Sequence, residues 1–139
     1  MALERTFAIV KPNAVQGGHI GEILGAVERA GFALRGLRMV LLSPEVVRGF
    51  YAEHVHKGFY PELEAFMTEG PVVLMVLEAE DAIQRWRDLM GATDPAKAAE
   101  GTLRRQFGED VGRNAVHGSD APATAEREIH YFFSAFDLI

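Results

Sequence analysis

Residues 71–91 read PVVLMVLEAEDAIQRWRDLMG and pass from a strand pattern into a helix pattern. The apolar run at 71–77 has the length of a buried strand and is far shorter than the ~20 residues of a membrane span, so we predict a strand over 71–78. Ile83, Trp86, Leu89 and Met90 then share one helical face between 81 and 90. Gly91 follows as a residue that commonly ends a helix. What lies on either side of this strand–helix pair decides the fold.

The preceding half of the chain supplies two further strands and three helices. A buried strand is predicted at 6–10 (TFAIV), a helix at about 20–30 ending before Gly31, and a second strand at about 33–42. Ser43-Pro44 is typical of a helix start, and that helix is predicted to end near His54. A short helix follows from Pro61 to Gly70.

The half of the chain after Gly91 begins with a long stretch of weak periodicity. Residues 91–113 contain only a predicted short helix at 102–107, and connections of that length are usually functional or disordered. A short fourth strand is predicted to end near His117. Thr124 is predicted to cap a final helix that carries Ala125, Ile129, Phe132 and Phe133.

The resulting order is β-α-β-helices-β-α-β-α in one undivided domain, residues 1–139. This order predicts an α+β fold of the ferredoxin-like, split βαβ type, with a four-stranded antiparallel sheet and helices covering one face. A small doubly wound sheet is the alternative. It is less favoured because the second and third strands look too short and too hairpin-like in placement.

Composition narrows the class of protein. Apolar residues make up 48% of the chain, as in a globular protein, and the net charge of −6 argues against a surface that coats nucleic acid. The absence of cysteine excludes disulfides, thiolate metal sites and a cysteine nucleophile. We find no signal peptide and no membrane span, and therefore predict a cytoplasmic protein without a membrane partner.

One histidine lies in a crowded polar stretch, RNAVHGSDAP at residues 113–122. His117 is read first as an ordinary turn residue. A zinc site built on His54 and His56 is disfavoured because residues two apart on a helix face away from each other. A serine hydrolase is disfavoured because no G-x-S-x-G elbow is present and Ser119 is only two residues from His117.

With a zinc site and a serine hydrolase disfavoured, the remaining interpretation of His117 is a nucleophile that attacks phosphorus. It requires one ring nitrogen to be free and the other to be held by an acceptor, for which Glu128 and a local backbone carbonyl are both candidates. Gly118 would let the backbone approach the ring closely. Phosphoryl transfer also needs positive charge and donors, and the candidates are Lys11, Tyr51, Arg87, Thr93 and Arg104. Each of these has an ordinary solvated or turn-forming interpretation when taken alone.

Taken together, the segments ERTFAIVKPNAV, YAEHVHKGFYPEL, GPVVLMVLE, RDLMGATDP, GTLRRQFG and NAVHGSDAP resemble the nucleoside diphosphate kinase family. They follow in family order and at family spacing over nearly the whole chain. The resemblance implies transfer of a γ-phosphoryl group from a nucleoside triphosphate, mainly ATP, to His117 and then to a nucleoside diphosphate. It also implies Mg²⁺ bridging the phosphates, with Asp120 as a candidate contact through water.

The resemblance assigns roles to individual residues. Ser119 and Glu128 match a pair that orders the histidine, and Phe59 and Val111 match the two sides of a base slot. The positions that hold phosphates and sugar are matched by Lys11, Tyr51, Arg87, Thr93, Arg104 and Asn114. The family commonly assembles as tetramers or hexamers built from dimers, so a homo-oligomer is expected.

Some positions depart from the commonest family pattern. Asn13 stands where Asp is usual and Gly58 where Pro is usual, while Gln106 replaces a frequent acid and Ala121 a frequent serine. A histidine phosphatase would need an R-H-G-type signature, which the N-A-V-H-G stretch lacks. A non-catalytic ferredoxin-like binding module would be favoured by the loss of His117 or Lys11, and both are present. No residue set looks built to read base edges, so broad base and sugar tolerance is expected, with no specific nucleic-acid partner.

Overall fold

The computed structural model describes residues 2–139 and contains a single four-stranded sheet. The strands are β1 (Leu3–Val10), β2 (Ala33–Val40), β3 (Val72–Glu80) and β4 (Val116–Gly118). They lie in the order β2-β3-β1-β4, and every neighbouring pair is antiparallel. The predicted ferredoxin-like α+β fold is thereby confirmed.

Within the described part of the chain, seven α-helices connect and cover these strands. They are α1 (Pro12–Gln16), α2 (Ile20–Arg29), α3 (Pro44–Phe50), α4 (Tyr60–Met67), α5 (Ala82–Met90), α6 (Leu103–Phe107) and α7 (Pro122–Phe132). The Ser43 hydroxyl caps α3 by accepting a hydrogen bond from the Val46 N–H at 3.2 Å. Gly31 takes φ +92° just after α2, a conformation that favours glycine.

Helices cover both faces of the sheet, whereas the sequence predicted helices on one face only. Ala8 and Val10 of β1 pack with α2 and α5 in one apolar cluster. Phe7 and Ile9 of the same strand pack with α3, α4 and α7 in another. Because consecutive strand residues point to opposite faces, the unbroken apolar run at residues 7–10 requires two covering layers.

Three predicted boundaries are wrong in detail. Strand β1 ends at Val10 as predicted, but it begins at Leu3 and not at Thr6. Helix α3 ends at Phe50, and a separate 3₁₀ turn covers Ala52–His54. Thr124 does not cap α7, which begins at Pro122 with Ala121 in the capping position. Proline is preorganised for the first helical position, so α7 starts at Pro122 and not after Thr124.

No helix within residues 2–139 is long and apolar enough to cross a membrane.

Candidate functional site

A strained turn precedes the histidine. Ala115 is completely buried at φ +75°, and the Val116 N–H donates to the Asn114 carbonyl at 2.9 Å. This is a γ-turn of the rare strained kind, which costs on the order of 1–3 kcal/mol and persists only when its surroundings impose it. The Lys11 N–H holds it by donating to the Ala115 carbonyl at 2.8 Å. The turn therefore fixes Asn114 and His117 relative to Lys11.

Glu128 holds one nitrogen of the His117 ring. Its Oε1 lies 3.0 Å from His117 Nε2 and also accepts from the Ser119 hydroxyl at 2.7 Å. Of the two acceptors left open by the sequence, the carboxylate is the one in contact. A carboxylate accepts, so Nε2 carries the proton and the lone pair lies on Nδ1.

The surroundings of the ring keep it neutral. Phe7, Phe50 and Tyr51 approach the imidazole edge-on, with ring centroids 6.2, 5.4 and 6.3 Å away. Burial lowers the pKa of His117, and the neighbouring Glu128 opposes that shift only in part. A neutral imidazole with a free Nδ1 is the form that acts as a nucleophile.

Two buried cations accompany the histidine. Lys11 Nζ donates to Asn114 Oδ1 at 2.9 Å, and burial followed by repulsion from Arg104 lowers the pKa of Lys11 to about 7. Arg104 donates to the Gly91 and Val116 carbonyls, both at 3.0 Å, while its buried Nε has no partner among residues 2–139. Burial and then Arg87 lower the pKa of Arg104 to about 10. Neither cation is matched by an acid, so the site is suited to an anion.

A cleft of about 750 Å³ opens above these groups. It contains eight of the residues singled out in the sequence, and its floor reaches His117. These eight are Lys11, Tyr51, Phe59, Thr93, Arg104, Val111, Asn114 and His117.

Four predicted site residues lie outside this cleft, namely Ser119, Glu128, Arg87 and Asp120. Ser119 is buried behind the histidine through its bond to Glu128. Arg87 is exposed on α5, close enough to Arg104 to depress that pKa. Asp120 lines a smaller cavity of about 140 Å³ that also reaches His117, together with Glu53 and Glu128.

Two large apolar side chains in the cleft are exposed. Phe59 is 53% exposed and Val111 is 61% exposed. Phe59 therefore does not fill the core. An exposed aromatic ring and an exposed valine in one cleft offer an apolar surface on which a planar group can stack, whatever the polar groups at its edge.

Sequence reasoning missed part of the lining, namely His54, Glu62, Leu63, Phe66, Asp110 and Arg113. The sequence disfavoured His54 as a zinc ligand and assigned it no role in the site. Its ring lies 6.2 Å from that of Tyr51 and 5.9 Å from that of Phe59, with Nδ1 unpartnered among the described residues. The available signal was its position three residues after Tyr51, which places both on one side of a helical turn.

Gly118 has a different role from the one expected. A Cβ at this position would lie 2.5 Å from Trp86 Cδ1, and the Trp86 indole donates to the His117 carbonyl at 3.2 Å. Glycine is needed here so that Trp86 of α5 can pack against the strand. The expected reason, a close approach of the backbone to the imidazole ring, does not apply.

No cluster of three or more histidine, cysteine or acidic side chains able to hold a metal ion occurs within residues 2–139. Asp120 and Glu53 nevertheless place carboxylates in the small cavity beside His117. These hard oxygen donors suit Mg²⁺ that keeps its waters and is held mainly by phosphate oxygens.

Comparison with known proteins gives one consistent result. The family model described as nucleoside diphosphate kinase matches residues 4–138. The nucleoside diphosphate kinase of Syntrophotalea carbinolica is 54% identical over 137 residues, covering 99% of this chain and all of the relative. That of Sorangium cellulosum is 49% identical over 138 residues, covering 99% of this chain and 96% of the relative.

Solved structures agree with the sequence matches. An Aquifex aeolicus nucleoside diphosphate kinase superposes with a TM-score of 0.97 at 44% identity, covering 99% of this chain and all of the other. A halophilic nucleoside diphosphate kinase from Halobacterium salinarum, solved in complex with CDP, superposes with a TM-score of 0.96 at 44% identity. That match covers 99% of this chain and 92% of the other.

Proposed function

Since this chain belongs to the nucleoside diphosphate kinase family and is an enzyme of that kind, we propose that it transfers phosphoryl groups through a phosphohistidine on His117. The observation that carries the proposal is the neutral ring with Nε2 on Glu128 and Nδ1 free, at the floor of a cleft with two buried, unpaired cations. We assign catalytic roles to His117, Lys11, Ser119 and Glu128.

The proposed first step is attack by the Nδ1 lone pair on the γ-phosphorus of a nucleoside triphosphate, with ATP as the main donor. The bond from phosphorus to the β–γ bridging oxygen breaks, and the diphosphate leaves with that electron pair. In the second step a terminal oxygen of another diphosphate attacks the phosphorus, and the P–N bond returns its pair to Nδ1. The Nε2 proton stays on the ring, facing Glu128, throughout both steps.

The charges of the cleft support this chemistry. Phosphoryl transfer spreads negative charge over the equatorial oxygens, and positioned donors stabilise it. Lys11, Arg104 and Asn114 line the cleft beside His117, and the buried Tyr51 hydroxyl has no partner within residues 2–139. We propose that these four, with Thr93 and the exposed Arg87, bind phosphates and sugar. Bound phosphate would also favour the charged form of Lys11.

Mg²⁺ is proposed as the cofactor. When bound, the ion neutralises phosphate charge and orients the transferring group. Asp120 would hold it through water from the small cavity beside His117. Two further properties stay predictions from the sequence, namely a cytoplasmic location and the absence of a specific nucleic-acid partner.

Steady-state kinetics test the proposed reaction. With the donor and a diphosphate acceptor varied together, we expect parallel lines in double-reciprocal plots, because the donor product must leave before the acceptor enters the same cleft. Intersecting lines would indicate direct transfer in a ternary complex. Release of inorganic phosphate without transfer to the acceptor would instead indicate a histidine phosphatase.

Phe59 and Val111 are proposed as the two sides of the base slot. Phe59→Ala is expected to cost roughly 1–3 kcal/mol of nucleotide binding, because stacking on an aromatic ring supplies energy of that size. Thermal unfolding should change little, since the ring is half exposed. Binding of adenine and guanine nucleotides should weaken alike, and that of pyrimidine nucleotides less. A collapse of Tm with normal nucleotide binding by the folded fraction would contradict the assignment.

Self-association is proposed through the edge strand β2. Leu37 and Met39 are 50% and 57% exposed, and they pair with Met75 and Val73, whose side chains belong to the α2–α5 side of the sheet. Leu41 extends this apolar row and is 68% exposed. An edge strand offers unpaired backbone groups, and a second copy related by a two-fold axis fits both features.

Met39→Glu places a charge in the centre of this row. We expect it to lower the association state in sedimentation equilibrium at micromolar concentration. Arg38→Glu changes charge on the same strand without touching the row and is the matched control. An unchanged assembly in the Met39 variant would exclude β2 as the contact.

A further inference from the structure

One segment of the cleft, residues 108–113, is held in shape by hydrogen bonds between its own residues. The Glu109 N–H donates to the Arg113 carbonyl at 2.8 Å. Asp110 Oδ1 accepts from the Gly112 and Arg113 N–H groups at 2.9 and 3.0 Å. Because these bonds join residues within one short loop, Val111 at its tip moves with the loop as a unit. We refer to residues 108–113 as the valine loop.

Asn13 holds the base of the valine loop. Its Nδ2 donates to the Phe107 carbonyl at 3.4 Å and to the Arg113 carbonyl at 3.1 Å. These carbonyls flank the loop, so both ends are attached to α1. Only an amide can donate in this way, since an aspartate side chain has no N–H. The departure of Asn13 from the usual family residue thus has a local structural consequence.

The side chain of Arg113 joins the valine loop to the other side of the cleft. Its two terminal nitrogens donate to the two oxygens of Glu69, each at 2.9 Å, and its guanidinium lies 4.7 Å from the centre of the Phe66 ring. Glu69 stands two residues after the end of α4, the helix that Phe59 precedes. The pair therefore connects the element that carries Val111 with the element that carries Phe59.

From this geometry we propose that the Arg113–Glu69 pair is a positioning device that sets the spacing between the Phe59 side and the Val111 side of the base slot. The inference rests on the proposed function, because it presumes that a nucleotide base occupies the slot. A planar two-point fork between guanidinium and carboxylate fixes orientation as well as distance, which a single hydrogen bond does not. The pair thus acts on nucleotide affinity, and it does so without contacting the reacting phosphorus.

The charges on the pair support this role. Hydrogen bonding to Arg113 lowers the pKa of Glu69, so the carboxylate is ionised throughout the neutral range. The two side chains are 35% and 32% exposed. Exposed ion pairs add little to global stability, so loss of the pair should appear in nucleotide binding and not in unfolding.

The test compares Glu69→Gln, Arg113→Gln and the double variant with wild type. Arg5→Gln is the matched control, because Arg5 pairs with Glu78 at 2.8 Å and is 34% exposed, far along β1 from the cleft. We expect each single variant to raise KM for diphosphate acceptors about tenfold with kcat unchanged, below the ~10²-fold that a 1 Å misplacement can cause. The double variant should resemble the single ones, because the two residues act as one pair.

A donor without a base separates positioning from catalysis. Phosphoramidate presents the phosphoryl group alone, so its rate of phosphorylating His117 should be the same in all variants and the control. Equal loss with phosphoramidate, or unchanged KM for the diphosphates, would overturn the proposal. If the glutamine variants do not fold, Arg113→Lys keeps the charge without the fork, and a normal KM in that variant would equally overturn it. Failure of the wild-type enzyme to form phosphohistidine would instead reject the proposed function.

Discussion

Replacing His117 by alanine is expected to abolish both phosphoenzyme formation and phosphoryl transfer. The proposed route needs a nitrogen nucleophile at the floor of the cleft. The chain contains no cysteine, and the Ser119 hydroxyl is already committed to Glu128. Removing the nucleophile should therefore leave only the uncatalysed reaction, whereas circular dichroism should report an intact fold. Incubation with γ-³²P-ATP followed by electrophoresis under alkaline conditions measures the loss directly.

His130→Ala serves as the control for the His117 substitution. His130 is exposed on α7 and lines neither cavity, so its removal should leave transfer at the wild-type rate. Substantial transfer by the His117 variant would refute the nucleophile assignment. Label that resists acid would point to a hydroxyl acceptor, since phosphohistidine is labile in acid and stable in base.

Glu128→Ala is expected to give the second largest loss, about 10³-fold in kcat, within the range found when a positioned proton-holding group is removed. The substitution leaves both His117 Nε2 and the Ser119 hydroxyl without their acceptor. The ring is then free to carry its proton on Nδ1, the nitrogen that must attack. Single-turnover phosphorylation by ATP, followed by quenched flow, separates this loss from any change in substrate binding.

Two further variants serve as controls for Glu128→Ala. Glu128→Gln keeps an oxygen that can accept from His117 and Ser119, so it should retain much more activity than the alanine variant. Glu126→Ala removes an exposed acid from the same helix and should have no effect on phosphorylation. Equal, mild losses in Glu128→Ala and Glu126→Ala would show that the carboxylate does not orient the ring.

The fold was largely predictable because the two central strands contain consecutive apolar residues. The segment at 6–10, which is apolar from Phe7 onward, and the apolar run at 71–77 predicted β1 and β3, which form the middle of the sheet. Apolar residues at consecutive strand positions face both sides of the sheet and call for helices on both faces, whereas the prediction placed them on one. Helix α1 was missed because five residues starting at a proline show no periodicity.

The candidate site was less accessible to sequence reasoning because it depends on contacts between distant segments. Lys11 and Asn114 meet across 103 positions, and Arg113 and Glu69 across 44. No feature of the sequence distinguishes a buried arginine in the cleft, such as Arg104, from an exposed one, such as Arg105. Arg113 lay at the start of the quoted RNAVHGSDAP stretch and received no role, because its partner and its position in the cleft appear only in three dimensions.

The most direct test of the proposed mechanism is to locate the phosphoryl group on the enzyme. The protein would be phosphorylated with ATP and examined at alkaline pH by mass spectrometry and by ³¹P–¹H correlation NMR, which distinguishes the two ring nitrogens. We expect one phosphoryl group, on His117, bonded to Nδ1 while Nε2 keeps its proton toward Glu128. A phosphoryl group on Ser119, on another residue or on Nε2 of His117 would contradict the proposed mechanism.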